Sequence, residues 1–114
     1  MRNLNDISLG ERDQRAIQAA AATLRELFPV ERVILFGSKA RGVDDTESDI
    51  DLLVLTSRLM SHAEQSGITK ALLGLELELD VVISPLIVST EDWEHGLYQV
   101  LPIRHEITRD GVVV

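Results

Sequence analysis

"FGSKARGVDDTESDIDLLV", residues 36 to 54, decides the fold. A Gly-Ser pair closes one apolar run, "RVILFG" (32–37), and ten residues later two aspartates bracket an isoleucine at the head of another, "DIDLLVLT" (49–56). Each run is short and nearly continuous in apolar residues, which reads as a buried strand. Between them, "SKARG" fits a single helical turn closed by Gly42, and "VDDTES" reads as a polar loop in which Asp44, Asp45 and Glu47 are solvated charges. Residues two apart on a strand point to one side, with Cα atoms roughly 6.5 Å apart. Asp49 and Asp51 therefore share a face while Ile50 enters the core.

A carboxylate within an apolar strand costs stability unless something compensates it. Two of them on a stiff element can share a divalent cation, or bridge two cations at the roughly 3.5–4 Å separation of two-metal sites. Gly37 lets backbone approach a ligand closely, and Ser38 opens a turn whose exposed N–H groups and hydroxyl suit an anion. Oxygen ligands without a nearby His or Cys favour Mg²⁺ or Mn²⁺ over zinc. A phosphate cradle beside carboxylate-held metal is what transfer from a nucleoside triphosphate requires. "GSKARG" does not have the spacing of a Walker A loop.

Outward from this core, Ser8 and Glu11 form a capping-box pattern, and Ile17, Ala21, Leu24 and Phe28 recur at helical spacing until Pro29, predicting a helix over roughly 9–28. Residues 58 to 73 read as a second helix. "LELELDVVI" (75–83) alternates, with Leu75, Leu77, Leu79 and Val81 opposite Glu76, Glu78 and Asp80, and predicts a strand ended by Pro85. "STEDWEHGLYQVL" predicts one helix, Pro102 starts a short one to about Arg109, and the final "VVV" forms a small edge strand. The expected architecture is one α/β domain over residues 1–114, with helices packed on a mixed sheet of three to four strands. On this reading Asp80 lies on the strand next to Asp49 and Asp51, and three carboxylates converge.

At 45% hydrophobic and 26% charged, the 114 residues match an ordinary globular domain, and the absence of cysteine excludes disulfides and thiolate chemistry. Eleven basic against 19 acidic residues give a net charge of −8, which disfavours direct binding of nucleic acid and suits divalent cations or a basic partner protein. No stretch approaches the length of a membrane span and the amino terminus has no apolar leader segment, so the expected location is the cytoplasm.

Gly37-Ser38, ten residues, Asp49-x-Asp51 and a later strand aspartate closely resemble the DNA polymerase β-like nucleotidyltransferases, and "GSKARG…SDIDLLV" in a short chain resembles their minimal members, the MNT proteins. The resemblance is close over roughly residues 30 to 84 and loose in the flanking helices. It implies the polymerase β-like fold, ATP as substrate, two Mg²⁺ ions (or Mn²⁺), and a HEPN-domain toxin as partner in a toxin–antitoxin pair. There the minimal nucleotidyltransferase is an antitoxin that adds AMP to a tyrosine of the HEPN ribonuclease. Carried over by position, Gly37 and Ser38 hold the triphosphate and Arg41 touches phosphate or steadies the loop. Asp49 and Asp51 ligate both metals, and Asp80 ligates the catalytic metal and acts as base. Glu78, one pleat away on the same expected face, is the alternative to Asp80.

Other residues carry plainer expectations. His62, His95 and His105 lack ligand spacing, and Trp93 and Tyr98 are core residues or anchors for a partner. The sheet, its helices and the metal site use most of the chain, so the acceptor is expected on another molecule. Two alternatives to protein adenylylation remain open at this point: a non-catalytic antitoxin that covers its partner, and a subunit modifying a small molecule such as an aminoglycoside.

Overall fold

The computed structural model describes residues 1–43 and 48–114, so the loop charges Asp44, Asp45 and Glu47 lie outside the described residues. In chain order the elements are strand β1 (Arg2–Asn3), a 3-10 turn (Leu4–Asp6), helix α1 (Glu11–Leu27), β2 (Val30–Phe36), the one-turn helix α2 (Ser38–Arg41) and β3 (Ile50–Thr56). Then follow α3 (His62–Leu79), β4 (Ile83–Ser89), α4 (Thr90–His95), a 3-10 turn (Leu97–Val100), α5 (Pro102–Asp110) and β5 (Val112–Val113). The sheet runs β1-β5-β2-β3-β4. β2 is antiparallel to both β3 and β5, while β3 and β4 are parallel, as are β1 and β5.

Both faces of the central strands are covered, which is why β2 and β3 read as continuous apolar runs rather than as alternation. Val33, Leu35, Ile50, Leu52 and Val54 pack against Ala16, Ile17, Ala20, Ala21 and Leu24 of α1 and Ile68 and Leu72 of α3. The alanines let α1 lie close to the sheet, and each fully buried Ile or Leu contributes about 1.5–3 kcal/mol. On the other face Ile34, Leu53, Leu55 and Val88 pack against Trp93 of α4 and Ile107 of α5. Trp93 is only 5% exposed, so it is a core residue and not a surface anchor; Tyr98 is half-buried beside it, with ring centroids 5.6 Å apart.

The expected strand over 75–83 is not formed. α3 starts at a capping box, in which Ser61 Oγ accepts from the Glu64 N–H and the Glu64 carboxylate accepts from the Ser61 N–H, and it runs on to Leu79. "LELEL" fits two periods at once: Ile68, Leu72, Leu75 and Leu79 form a helical stripe on the core, leaving Leu77 76% exposed. Leu and Glu favour helix, and the β-branched residues that favour strand come later, so β4 begins at Ile83. Pro85 therefore lies inside β4 instead of ending it.

That placement is tolerated because β4 is an edge strand. The Ile50 N–H donates to the Val82 carbonyl, and in a parallel ladder this turns the backbone groups of Ile83, Pro85, Ile87 and Ser89 outward. The Ile83 N–H donates to Glu76 Oε2 at 3.3 Å, and Pro85 has no N–H to offer.

Smaller differences have local causes. The Ser8–Glu11 capping box does not form; α1 starts after Gly10 with no side-chain cap and carries Glu11 and Asp13 in its first turn. "STEDWEHGLYQVL" breaks at Gly96 into α4 and a 3-10 turn. β5 is not an edge strand, because β1 pairs outside it and brings the sheet to five strands.

Candidate functional site

The site lies where β2 ends and β3 begins. Register pairs Asp51 with Phe36 on one side and Ser84 on the other. Ile50, Leu52 and Val54 belong to the α1/α3 face, so alternation puts Asp49 and Asp51 on the opposite face, ahead of Leu53 and Leu55. Asp49 is exposed and Asp51 half-buried. The two carboxylates are near enough to affect each other: burial, then the charge of Asp49, pushes the Asp51 pKa up, and the Arg41 guanidinium opposes this. Asp49 Oδ2 also accepts a hydrogen bond from Ser84 Oγ at 3.3 Å.

Gly37 makes the approach of the turn possible. Its φ of 76° and ψ of −158° lie in a region that only glycine occupies readily, and a Cβ there would collide with the Asp51 carboxylate. The chain thus turns off β2 at Gly37, hard against the Asp51 carboxylate, and Ser38 follows at the head of α2. Gly42 closes the turn, as the sequence suggested, and does so in the left-handed conformation at φ 73°. Arg41 is exposed, while Lys39 and Ala40 are both 1% exposed.

Gly37, Ser38, Arg41, Asp49 and Asp51 are thus brought to one end of the sheet, but Asp80 does not join them there. It is the C-cap of α3, in left-handed conformation at φ 55°, with its carboxylate fully exposed and 4.0 Å from Arg12 Nη1. Asp80 leaves the site because α3 takes up the segment that was expected to be strand. Glu78 is exposed on the same helix, and the β4 residue beside Asp51 is Ser84. Among the described residues no group of three or more His, Cys, Asp or Glu could hold a metal ion.

Two carboxylates still suit Mg²⁺, which is commonly bound by one or two carboxylates together with substrate phosphates and water. The like charge gathered at Asp49 and Asp51, one of them partly desolvated, is the donor set such an ion would neutralise. Sequence reasoning missed Ser84 and the buried ion pair between Lys39 and Asp13, whose Nζ and Oδ2 are 2.8 Å apart. The turn carried a signal for the second: on one helical turn Lys39 must fall on the side away from Ser38 and Arg41.

Strand carboxylates under a glycine-hinged turn define a nucleotidyltransferase domain, and the model described as "Nucleotidyltransferase domain" matches residues 17–100: the chain belongs to that family. Within it, the chain is 45% identical over 58 residues to "Putative protein adenylyltransferase MJ0141" of Methanocaldococcus jannaschii, covering 51% of this chain and 59% of that protein. The match thus spans about three fifths of that relative's length. A solved structure named "putative minimal nucleotidyltransferase" superposes with a TM-score of 0.62 and 25% identity, over 95% of this chain and all of the other. A toxin–antitoxin structure with AMP-PNP superposes with a TM-score of 0.58 at 18% identity, over 89% of this chain and 71% of the matched one. A complex of a tri-AMPylated Shewanella oneidensis HEPN toxin with its MNT antitoxin does so at 0.54 and 17%, over 88% and 69%. At 17–18% identity these last two likenesses are likenesses of fold. No helix among the described residues is long and apolar enough to cross a membrane.

Proposed function

We propose that the protein transfers AMP from ATP to a hydroxyl of a partner protein, and that the partner is a HEPN toxin which it neutralises as an antitoxin. The observation that carries this reading is the pairing of Asp49 and Asp51 beneath the Gly37–Ser38 turn. Gly37, Ser38 and Arg41 would hold the triphosphate, and Asp49 and Asp51 would hold Mg²⁺. The ion supplies charge neutralisation at the phosphates. In the reaction an acceptor oxygen, most simply of a tyrosine, attacks the α-phosphorus. The bond from that phosphorus to the oxygen bridging to the β-phosphate breaks, diphosphate leaves, and the hydroxyl proton passes to solvent. The relative named as an adenylyltransferase and the fold shared with toxin-bound MNT antitoxins support the class of acceptor.

Ser84 favours a second reading. A hydroxyl where a third carboxylate was expected suits a protein that neutralises its partner by covering it. Mass spectrometry separates the two. After incubation with ATP and Mg²⁺, a catalysed partner is heavier by one or more AMP units and stays inactive once separated. An unmodified partner that regains activity on separation makes the protein a cover.

A further inference from the structure

We infer that the buried Lys39–Asp13 ion pair is a positioning device: it ties the phosphate-binding turn to α1 and so fixes where Gly37 and Ser38 stand relative to Asp49 and Asp51. The inference rests on the nucleotidyl-transfer reading and assigns a role to two residues which that reading leaves unused.

α2 has four residues, Ser38–Arg41, too few to hold a helical turn without tertiary support. Glycines at positive φ flank it on both sides, Gly37 at 76° and Gly42 at 73°, so neither junction carries a side chain that would stiffen it. Its orientation must therefore come from what its inner side touches. Arg41 lies on the exposed side and lowers the proton affinity of Asp51 from there. Lys39 and Ala40 form the inner side. The Ala40 carbonyl accepts from Arg2 Nη2 at 2.8 Å, and Lys39 Nζ donates to Asp13 Oδ2 at 2.8 Å.

An apolar side chain in place of Lys39 would fill that space without fixing a distance. The contact of the Lys39 ammonium with Asp13 Oδ2, at 2.8 Å, sets how far the turn stands from α1. Asp13 is a firm anchor, because it lies in the first turn of a 17-residue helix whose inner face packs on the sheet, and the amino end of a helix favours a carboxylate. Replacing a buried ion pair with apolar residues is often neutral or stabilising, whereas removing one partner is strongly destabilising. Placement, more than stability, is what such a pair supplies here.

The test compares Lys39→Met, Asp13→Leu and the double variant with the wild type in melting temperature, Mn²⁺ binding and Mg·ATP binding. Each single variant melts lower, and the double variant recovers most of the loss. In the double variant Mn²⁺ alone binds within twofold of wild type, because Asp49 and Asp51 have not moved, while Mg·ATP binds at least tenfold more weakly. Hydrogen exchange of the amides of residues 38–41 is faster, and that of β3 is unchanged. If the double variant does not fold, Asp13→Asn keeps the shape and one acceptor oxygen, and it is expected to weaken Mg·ATP at least threefold with Mn²⁺ binding unchanged. Wild-type affinity for Mg·ATP in a folded variant overturns the positioning role alone. A wild-type protein that binds Mn²⁺ but no Mg·ATP overturns the nucleotidyl-transfer reading, and the positioning role with it.

Discussion

Gly37→Ala tests the close approach of the turn to the carboxylates. Two separate costs are expected. At φ 76° and ψ −158° the backbone is in a region that alanine occupies at roughly 1–3 kcal/mol. The new methyl would also collide with the Asp51 carboxylate, whose Cγ would be 3.2 Å away, and overpacking of this kind adds roughly 1–3 kcal/mol. In an Asp51→Ala background the carboxylate is gone and only the residue 51 Cβ remains, at an ordinary contact of 3.4 Å. Gly37→Ala should then cost only the backbone share. The coupling between the two positions is therefore about 1–3 kcal/mol, well outside the roughly 0.3–0.5 kcal/mol within which independent sites add. Urea denaturation of the four proteins, with m unchanged, measures it. Equal cost of Gly37→Ala in both backgrounds would refute the close approach.

Three further outcomes follow from the same geometry. Asp49→Asn/Asp51→Asn abolishes Mg²⁺-dependent AMP transfer, read by mass spectrometry of the partner, and the melting temperature is unchanged or higher because like charge has been removed. The Asp51 carboxyl has its pKa raised above 3.8 in the fold, so the native state holds that proton more tightly than the unfolded chain, and stability from this group is lost as pH rises through the folded pKa. Asp51→Asn therefore gains on the wild type from acid toward neutral pH, which thermal melts at several pH values without metal would detect. Ser61→Ala removes the reciprocal cap of α3 and costs about 1 kcal/mol, or about 3–6 °C in melting temperature, with Mg·ATP affinity unchanged by calorimetry.

The strand–turn–strand that carries the site was legible because its signals are local. Glycines mark both ends of α2, the apolar runs are short, and Asp49 and Asp51 need only the period of a strand to meet. Asp80 was lost because "LELEL" satisfies helix and strand at once, and only the packing of Leu75 and Leu79 against the core decides between them. The third-carboxylate expectation depended on that one segment and went with it. Trp93 illustrates a different limit: a lone aromatic on a short helix does not say which way it faces until Ile34, Leu53 and Ile107 close around it. β1, two residues long, pairs with residues 110 positions away and leaves no local mark. Lys39 was overlooked because a lysine is ordinarily read as solvated, and its burial depends on Asp13, 26 residues earlier.

The rim of the sheet bears on behaviour at high concentration. A strand from another molecule extends a sheet by finding successive free N–H groups along an edge. On β4, Pro85 breaks that sequence and Glu76 already occupies the Ile83 donor, so Ile87 and Ser89 are the outward donors that remain. The opposite edge, β1, is two residues long. Growth by strand addition thus has no adequate template at either end, and concentrated solutions should resist fibril formation. Complexes of this domain should form through helices and loops, whose side chains select a partner, rather than through main-chain pairing, which accepts many.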